Sequence, residues 1–313
     1  MSLHRKLLVL IILPLVVMAV FSTCKRPLPQ EEAEKHLRAF DNEMIILLRS
    51  FKRTGTFKIL QEILSVENVP VPYFAHESKY PGDISKFNFE ELCGVYHFDS
   101  IKRKFIHHSK ADSIIIFYPT GFGSERVAQL VMSAYSEDAS SSSLMVPTVI
   151  KAYLLVDDRQ VASIDHYARV EHRMPVEAHT RISVENYFLE IDLSSRLRRK
   201  HANAELLATI FLDDGLKASA SLRSKIGFAD DGGFFMRSLR VGVSAFPVQI
   251  NARVDNDAID SRTKDFIEEF NRHSNIEVFR WQDKRKLGDI RLRARDASDK
   301  LDYAFYYNDG SFI

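Results

Sequence analysis

The sequence predicts an α+β protein that is mostly β. The expected fold is a large curved antiparallel meander sheet, with an N-terminal helix pair and a C-terminal strand-helix-strand portion. Three observations predict it. Before residue 66 apolar residues recur at steps of three and four, and from Gly94 the period falls to about two. Short polar turns separate the alternating segments, so neighbours should pair antiparallel. The chain also carries 22 Phe and 11 Tyr, residues that suit a pleated, half-buried surface.

In chain order, His4, Arg5 and Lys6 precede fifteen consecutive apolar residues, Leu7–Phe21, with Pro14 among them, and then Ser22-Thr23-Cys24. A basic start, a short apolar run and small residues before a break form the pattern of an export signal. The run falls short of the ~20 residues a spanning helix needs. Phe21-Ser22-Thr23-Cys24 resembles a bacterial lipoprotein signal in the form found among Bacteroidota. That resemblance implies cleavage before Cys24 and lipid on its sulfur, against the alternative of an uncleaved membrane anchor. It makes 1–23 a signal peptide and 24–30 a lipid-anchored tether reaching at most ~20 Å, with Lys25 and Arg26 among lipid phosphates.

The helical pair is expected over 31–66. Glu31, Glu32 and Glu34 favour a helix start, and Leu37, Phe40, Met44, Leu47 and Leu48 lie at helical steps. Thr56 is the expected cap of a second helix through Ile59, Leu60, Ile63 and Leu64. Pro70, Pro72, Pro81 and Gly82 mark residues 67–91 as an irregular crossing segment. The antiparallel β domain, 67–246, then offers strands at 94–99, 103–108, 112–118, 126–136, 147–156, 160–171, 178–184, 187–193, 203–212, 216–226 and 233–245. Leu189, Ile191 and Leu193 alternating with Glu190 and Asp192 imply one wet face and one buried face. Ser140–Ser143 is a low-complexity loop and a candidate boundary within the sheet.

Residues 152–163 align without a gap on 208–219, each placing an Asp-Asp turn (Asp157-Asp158, Asp213-Asp214) between two apolar runs. Both read as hairpins, because Asp tolerates turn geometry. The closing portion, 247–313, is expected to pack on the sheet, with a strand at 248–254, a helix at 262–272 and strands at 276–281, 287–293 and 301–307. Lys286-Leu-Gly288-Asp289-Ile290, Tyr307-Asn308-Asp309-Gly310-Ser311 and the Val156-Asp157-Asp158 hairpin with Val161-Ala162-Ser163 resemble a group of Bacteroidota cell-envelope lipoproteins. The resemblance covers most of the chain after Cys24 and implies no assigned activity. Where such families carry Gly in the first hairpin turn, this chain has Asp158-Arg159.

Composition narrows the function. Apolar residues at 45% and charged residues at 27% describe a folded globule, and a net charge of +1 gives no global pull toward nucleic acid. With Cys24 lipidated, Cys93 has no partner for a disulfide and reads as a buried small hydrophobe. No His-Glu-x-x-His, Gly-x-Ser-x-Gly, P-loop, Cys-x-x-Cys or calcium-loop pattern occurs, and Gly121-Phe-Gly123 reads as a hairpin loop. His166 and His172 lie ~20 Å apart along a strand, too far for one ion, and His107 and His108 should point to opposite faces. Asp255, Asp257 and Asp260 read as helix-capping residues, so no metal site and no cofactor is expected.

Two basic clusters are candidates for contact with an anionic surface: Arg196, Arg198, Arg199 and Lys200 at a hairpin tip, and Lys284, Arg285, Lys286, Arg291, Arg293 and Arg295, with Arg280 nearby. The resulting expectation is a non-enzymatic outer-membrane lipoprotein, periplasmic face favoured. It would serve as a binding or accessory subunit of an envelope complex and reach the membrane through lipid on Cys24. One alternative is a carrier of lipid or another apolar ligand in a curved-sheet cavity, with 31–66 as its lid. A lesser one is an envelope hydrolase, for which no residue stands out.

Overall fold

The structure is a computed structural model that describes residues 27–72, 87–120, 126–139, 145–172, 174–213, 215–228, 234–259, 265–295 and 300–313. The signal segment, Cys24, Lys25, Arg26, the Gly121–Gly123 loop, Ser140–Ser143, Asp214 and Asp260 lie outside the described residues.

Helix α1 spans Gln30–Arg53 and α2 spans Gly55–Leu64. Glu31 and Glu32 in the first turn of α1, and Lys52 and Arg53 in its last, complement the helix dipole. Thr54, not Thr56, caps α2, its side chain accepting from the Phe57 N–H at 3.2 Å. The reason is conformational: Thr54 is extended (φ −56°, ψ 142°) as a cap must be, whereas Thr56 already lies inside the helix. Thr56 is buried, and its N–H donates to Glu185 Oε1.

After the single turn α3 (Phe89–Leu92) the strands follow as β1 (Gly94–Asp99), β2 (Lys104–Ser109), β3 (Ile114–Pro119), β4 (Val127–Ala139) and β5 (Met145–Val156). Next come β6 (Arg159–Glu171), β7 (Met174–Val184), β8 (Tyr187–Arg198), β9 (His201–Leu212) and β10 (Gly215–Phe228). The last are β11 (Phe234–Ala245), β12 (Val248–Asp255), β13 (Ser274–Arg280), β14 (Lys286–Arg295) and β15 (Lys300–Tyr307), with helix α4 (Phe266–His273) between β12 and β13. All fifteen form one sheet in the order β15 to β3 without interruption, then β1, then β2.

One pairing departs from the antiparallel expectation. β1 and β3 run parallel, Gly94 opposite Ile114 through His97 opposite Phe117, and β2 lies outside them as the edge. Burial explains the exchange. β3 carries Ile114 and Ile116 fully buried with Ile115 and Phe117 half-buried behind them, so it needs neighbours on both sides. β2 buries only Phe105 and presents Lys104, His107 and His108 to water, as an edge strand should.

Hydrogen bonding continues across both expected boundaries. β4 and β5 pair from Ala128 opposite Val156 to Ala139 opposite Met145, so Ser140–Ser143 does not divide the sheet. β11 and β12 likewise pair over eight residues, so β12–β15 join the sheet edge to edge rather than packing on its face. Both aligned hairpins are present, β5–β6 and β9–β10. Asp157 (φ 50°), Asp158 (φ 60°) and Asp213 (φ 53°) occupy the left-handed turn conformation.

The helices cross one end of the strands on a single face and close two separate cores. Leu28, Ala33, Leu37 and Phe40 pack on Val248, Val278, Leu287 and Tyr307 near one edge. Toward the other edge Ile63 of α2 is fully buried among Ile114, Ile116, Leu130 and Leu154. Between them α1 touches the sheet through Phe51 against the Tyr187 ring, and the Tyr187 hydroxyl donates to Ser50 Oγ at 2.7 Å. Polar contacts fix the start of α1: the Leu28 N–H donates to the Lys286 carbonyl, and Arg280 donates to Glu32 at 2.8 Å while also gripping Asp283.

Candidate functional site

Strand register puts a broad apolar surface on the α1 side of the sheet. One row across the strands runs Thr180, Ile191, Ala208, Ala220, Val243 and Ile250. The next row, further from α1, runs Ala178, Leu193, Leu206, Leu222, Val241 and Ala252. In an ordinary sheet these positions are sealed by a second layer. Here all twelve side chains are only half-buried. Residues of the same faces nearer the helix, Val184, Tyr187, Ala218, Ala245 and Val248, are buried.

Geometry accounts for the difference. A helix is ~10 Å in diameter, whereas a strand of twelve residues is ~40 Å long, so α1 covers the strand ends and leaves the middle open. The open area spans five strand spacings from β7 to β12, ~24 Å, which makes a trough of a few hundred Å². Leu48 of α1 is exposed on the opposite flank of the helix from Ile46, 200° around the axis. The expected lid, 31–66, therefore roofs one end of the apolar face.

Beneath the other flank of α1 is a cleft of about 400 Å³ lined by Met44, Ile46, Leu47, Leu212, Phe246 and Trp281. The outer face of the sheet is mostly polar, although Phe188 and Leu207 are exposed on it. There Arg196, on β8, lines a hollow with Arg223, Lys225 and Arg240, and Arg223 is paired with Glu205 at 2.7 Å.

The basic residues singled out in the sequence do not form one surface. Arg199 and Lys200 make the exposed β8–β9 turn, at the far end of the trough from α1, with Arg198 beside them. Lys284 and Arg285 lie in the β13–β14 turn at the α1 end, five strands away. Lys286 is paired internally with Glu277 and Asp289, and Arg280 is part of the α1 clamp. Arg291 lies over the Tyr306 ring and Arg293 over Phe312, at 5.2 and 5.0 Å. Arg295 opposes Lys300 in the ladder, and its side chain lies outside the description.

Other candidates resolve into structural roles. His166 bonds Thr180 and the Pro147 carbonyl, His172 sits in a turn (φ 48°), and His107 and His108 contact Tyr96 and His97 on opposite faces. Asp257 pairs with Arg237 at 2.7 Å. Among the described residues no three His, Cys, Asp or Glu gather as a metal site, and no helix is long and apolar enough to cross a membrane. Cys93 is half-buried, and its thiol pKa is pushed up by burial and then by Asp112 and Glu90.

Sequence reading missed both the trough and the α1 cleft. The signal lay in the alternation of Leu206, Ala208 and Ile210 and of Ala220 and Leu222, set against only 34 residues of N-terminal helix to cover fifteen strands. Comparison with protein-family models, with curated proteins and with solved structures finds no match.

Proposed function

We propose that the protein is a non-enzymatic, envelope-anchored binding protein that holds the hydrocarbon chain of a lipid on the open face of its sheet. The supporting observation is the trough itself: two contiguous rows dominated by aliphatic side chains, half-buried between two closed cores. An apolar patch of this extent marks a binding surface on a folded protein. A hydrocarbon chain suits it better than a protein strand, because the floor is the centre of a sheet with its backbone groups already paired. Arg199 and Lys200, exposed beyond the far end of the trough, would supply the charge for an anionic headgroup. Lipid on Cys24 would hold this surface near its ligand's source. The trough thus favours the carrier reading over an accessory subunit.

Mass spectrometry of the protein under native conditions tests this. Wild type should carry co-purified lipid. Leu206→Asp with Leu222→Asp, placed on the trough floor, should weaken lipid binding by about tenfold or more while leaving both cores intact. Lipid-free wild type that binds no added phospholipid would overturn the proposal.

A further inference from the structure

At the α1 end of the strands, the exposed side chains form a second apolar surface distinct from the trough. Ile46 is 61% exposed, Phe246 54% and Leu216 46%, and with Trp281 they line one cleft between α1 and the β9–β10, β11–β12 and β13–β14 turns. Cations surround it. Arg49 and Arg53 flank Ile46 on α1, Lys217 lines the cleft, and Lys284 Nζ lies 6.0 Å from the Trp281 ring centre. Glu43 also lines the cleft, and nearby Asp283 is held by Arg280. Aliphatic and aromatic side chains projecting among Lys and Arg are the composition of a surface that enters the headgroup region of an anionic bilayer.

The position of the chain start picks a bilayer as the occupant. Leu28 is bonded to Lys286, at the beginning of β14 and on this same end of the sheet. The apolar run Leu7–Phe21 ends six residues before Pro27, a distance that extended chain covers in ~20 Å. Held by that run or, after cleavage, by lipid on Cys24, an anchor in this segment would bring this end of the sheet against its membrane.

We infer that the edge formed by Ile46, Leu216, Phe246 and Trp281 docks on the surface of an anionic lipid bilayer. Leu216, Lys217 and the hairpin turns β11–β12 and β13–β14 face the headgroups, and the strands project away. The cleft under α1 then opens onto the membrane. This inference stands on the cleft and the chain start, and it does not require that the trough bind lipid.

Trp281 is the only tryptophan in the chain, so its fluorescence reports on this edge alone. The full chain is mixed with vesicles of phosphatidylglycerol and phosphatidylcholine bearing a doxyl quencher near the headgroup. Trp281 emission should shift to the blue and be quenched, and high salt should weaken the effect. Leu216→Ser with Phe246→Ser, both at exposed positions, should cut vesicle affinity of the edge by about tenfold. Leu206→Asp with Leu222→Asp should leave the Trp281 response unchanged, which separates this inference from the trough reading. Three outcomes overturn it: no vesicle association, vesicle-bound protein with unquenched Trp281 (anchoring by the leader alone), or a Trp281 shift that follows self-association without vesicles.

Discussion

At the scale of single residues, the α1 clamp shows how local chemistry fixes a long-range contact. His36 faces Arg280, Glu32, Lys35 and Asp283, and its pKa is lowered, first by burial and then by the Arg280 charge. Asp283 is held well below the usual carboxylate range by its hydrogen bonds from Arg280, so the Arg280–Asp283 pair stays ionised in mild acid. The sign for His36 follows from linkage. A folded pKa below the unfolded value of ~6.5 means that the unfolded chain takes up the proton first, so stability is full above that pH and falls as pH drops through it. His36→Gln should flatten this dependence, which melting curves at about pH 7.5 and 5.5 would register as a smaller difference in Tm than in wild type. An equal difference in both proteins would assign the acid sensitivity elsewhere. Little of this was legible in the sequence, because Glu32 and Arg280 are 248 residues apart and nothing local pairs them.

At the scale of elements, periodicity and turn residues located nearly every strand within a few positions, since alternation and Asp-rich turns are local signals. What they could not locate was the swap of β1 and β3. That choice is made by competition for burial between β2 and β3, which appears only when both are laid against the same core. The Thr54 cap was missed for a similar reason: whether Thr54 or Thr56 takes the cap depends on where α1 stops. α2 is secured by one side chain above all, Ile63, which is fully buried against β3, β4 and β5. Ile63→Ala should cost about 2–5 kcal/mol in denaturant unfolding, through lost burial and the cavity left behind. A cost under about 1 kcal/mol would mean that α2 adds little to the sheet it covers. The basic clusters were legible as composition, but their fates diverged by register: Lys286 and Arg280 turned inward to carboxylates while Arg199 and Lys200 remained free at a turn tip.

At the scale of the whole molecule, the alternation of Leu189, Ile191 and Leu193 announced an apolar face on β8, yet it could not say how far that face extends or that it lacks a cover. Coverage is set by the ratio of helix area to sheet area, a property of the assembled fold. The same assembly constrains the order in which the protein can form. Nearly every ladder joins strands adjacent in sequence, so the sheet can zip up by short loop closures as chain becomes available. The beginning of α1 and Leu28 just before it are different, since their partners Arg280, Lys286 and Asn308 lie in or directly after the final strands, the last of them 280 residues beyond Leu28. The first helix made is therefore the last to be seated. In pulse-labelled hydrogen exchange during refolding, amides of residues 30–40 should gain protection only after those of β13 and β14, and earlier protection would contradict this order. For a chain delivered N-terminus first, the apolar side of α1 stays bare throughout delivery, which makes that interval the protein's period of greatest exposure to aggregation.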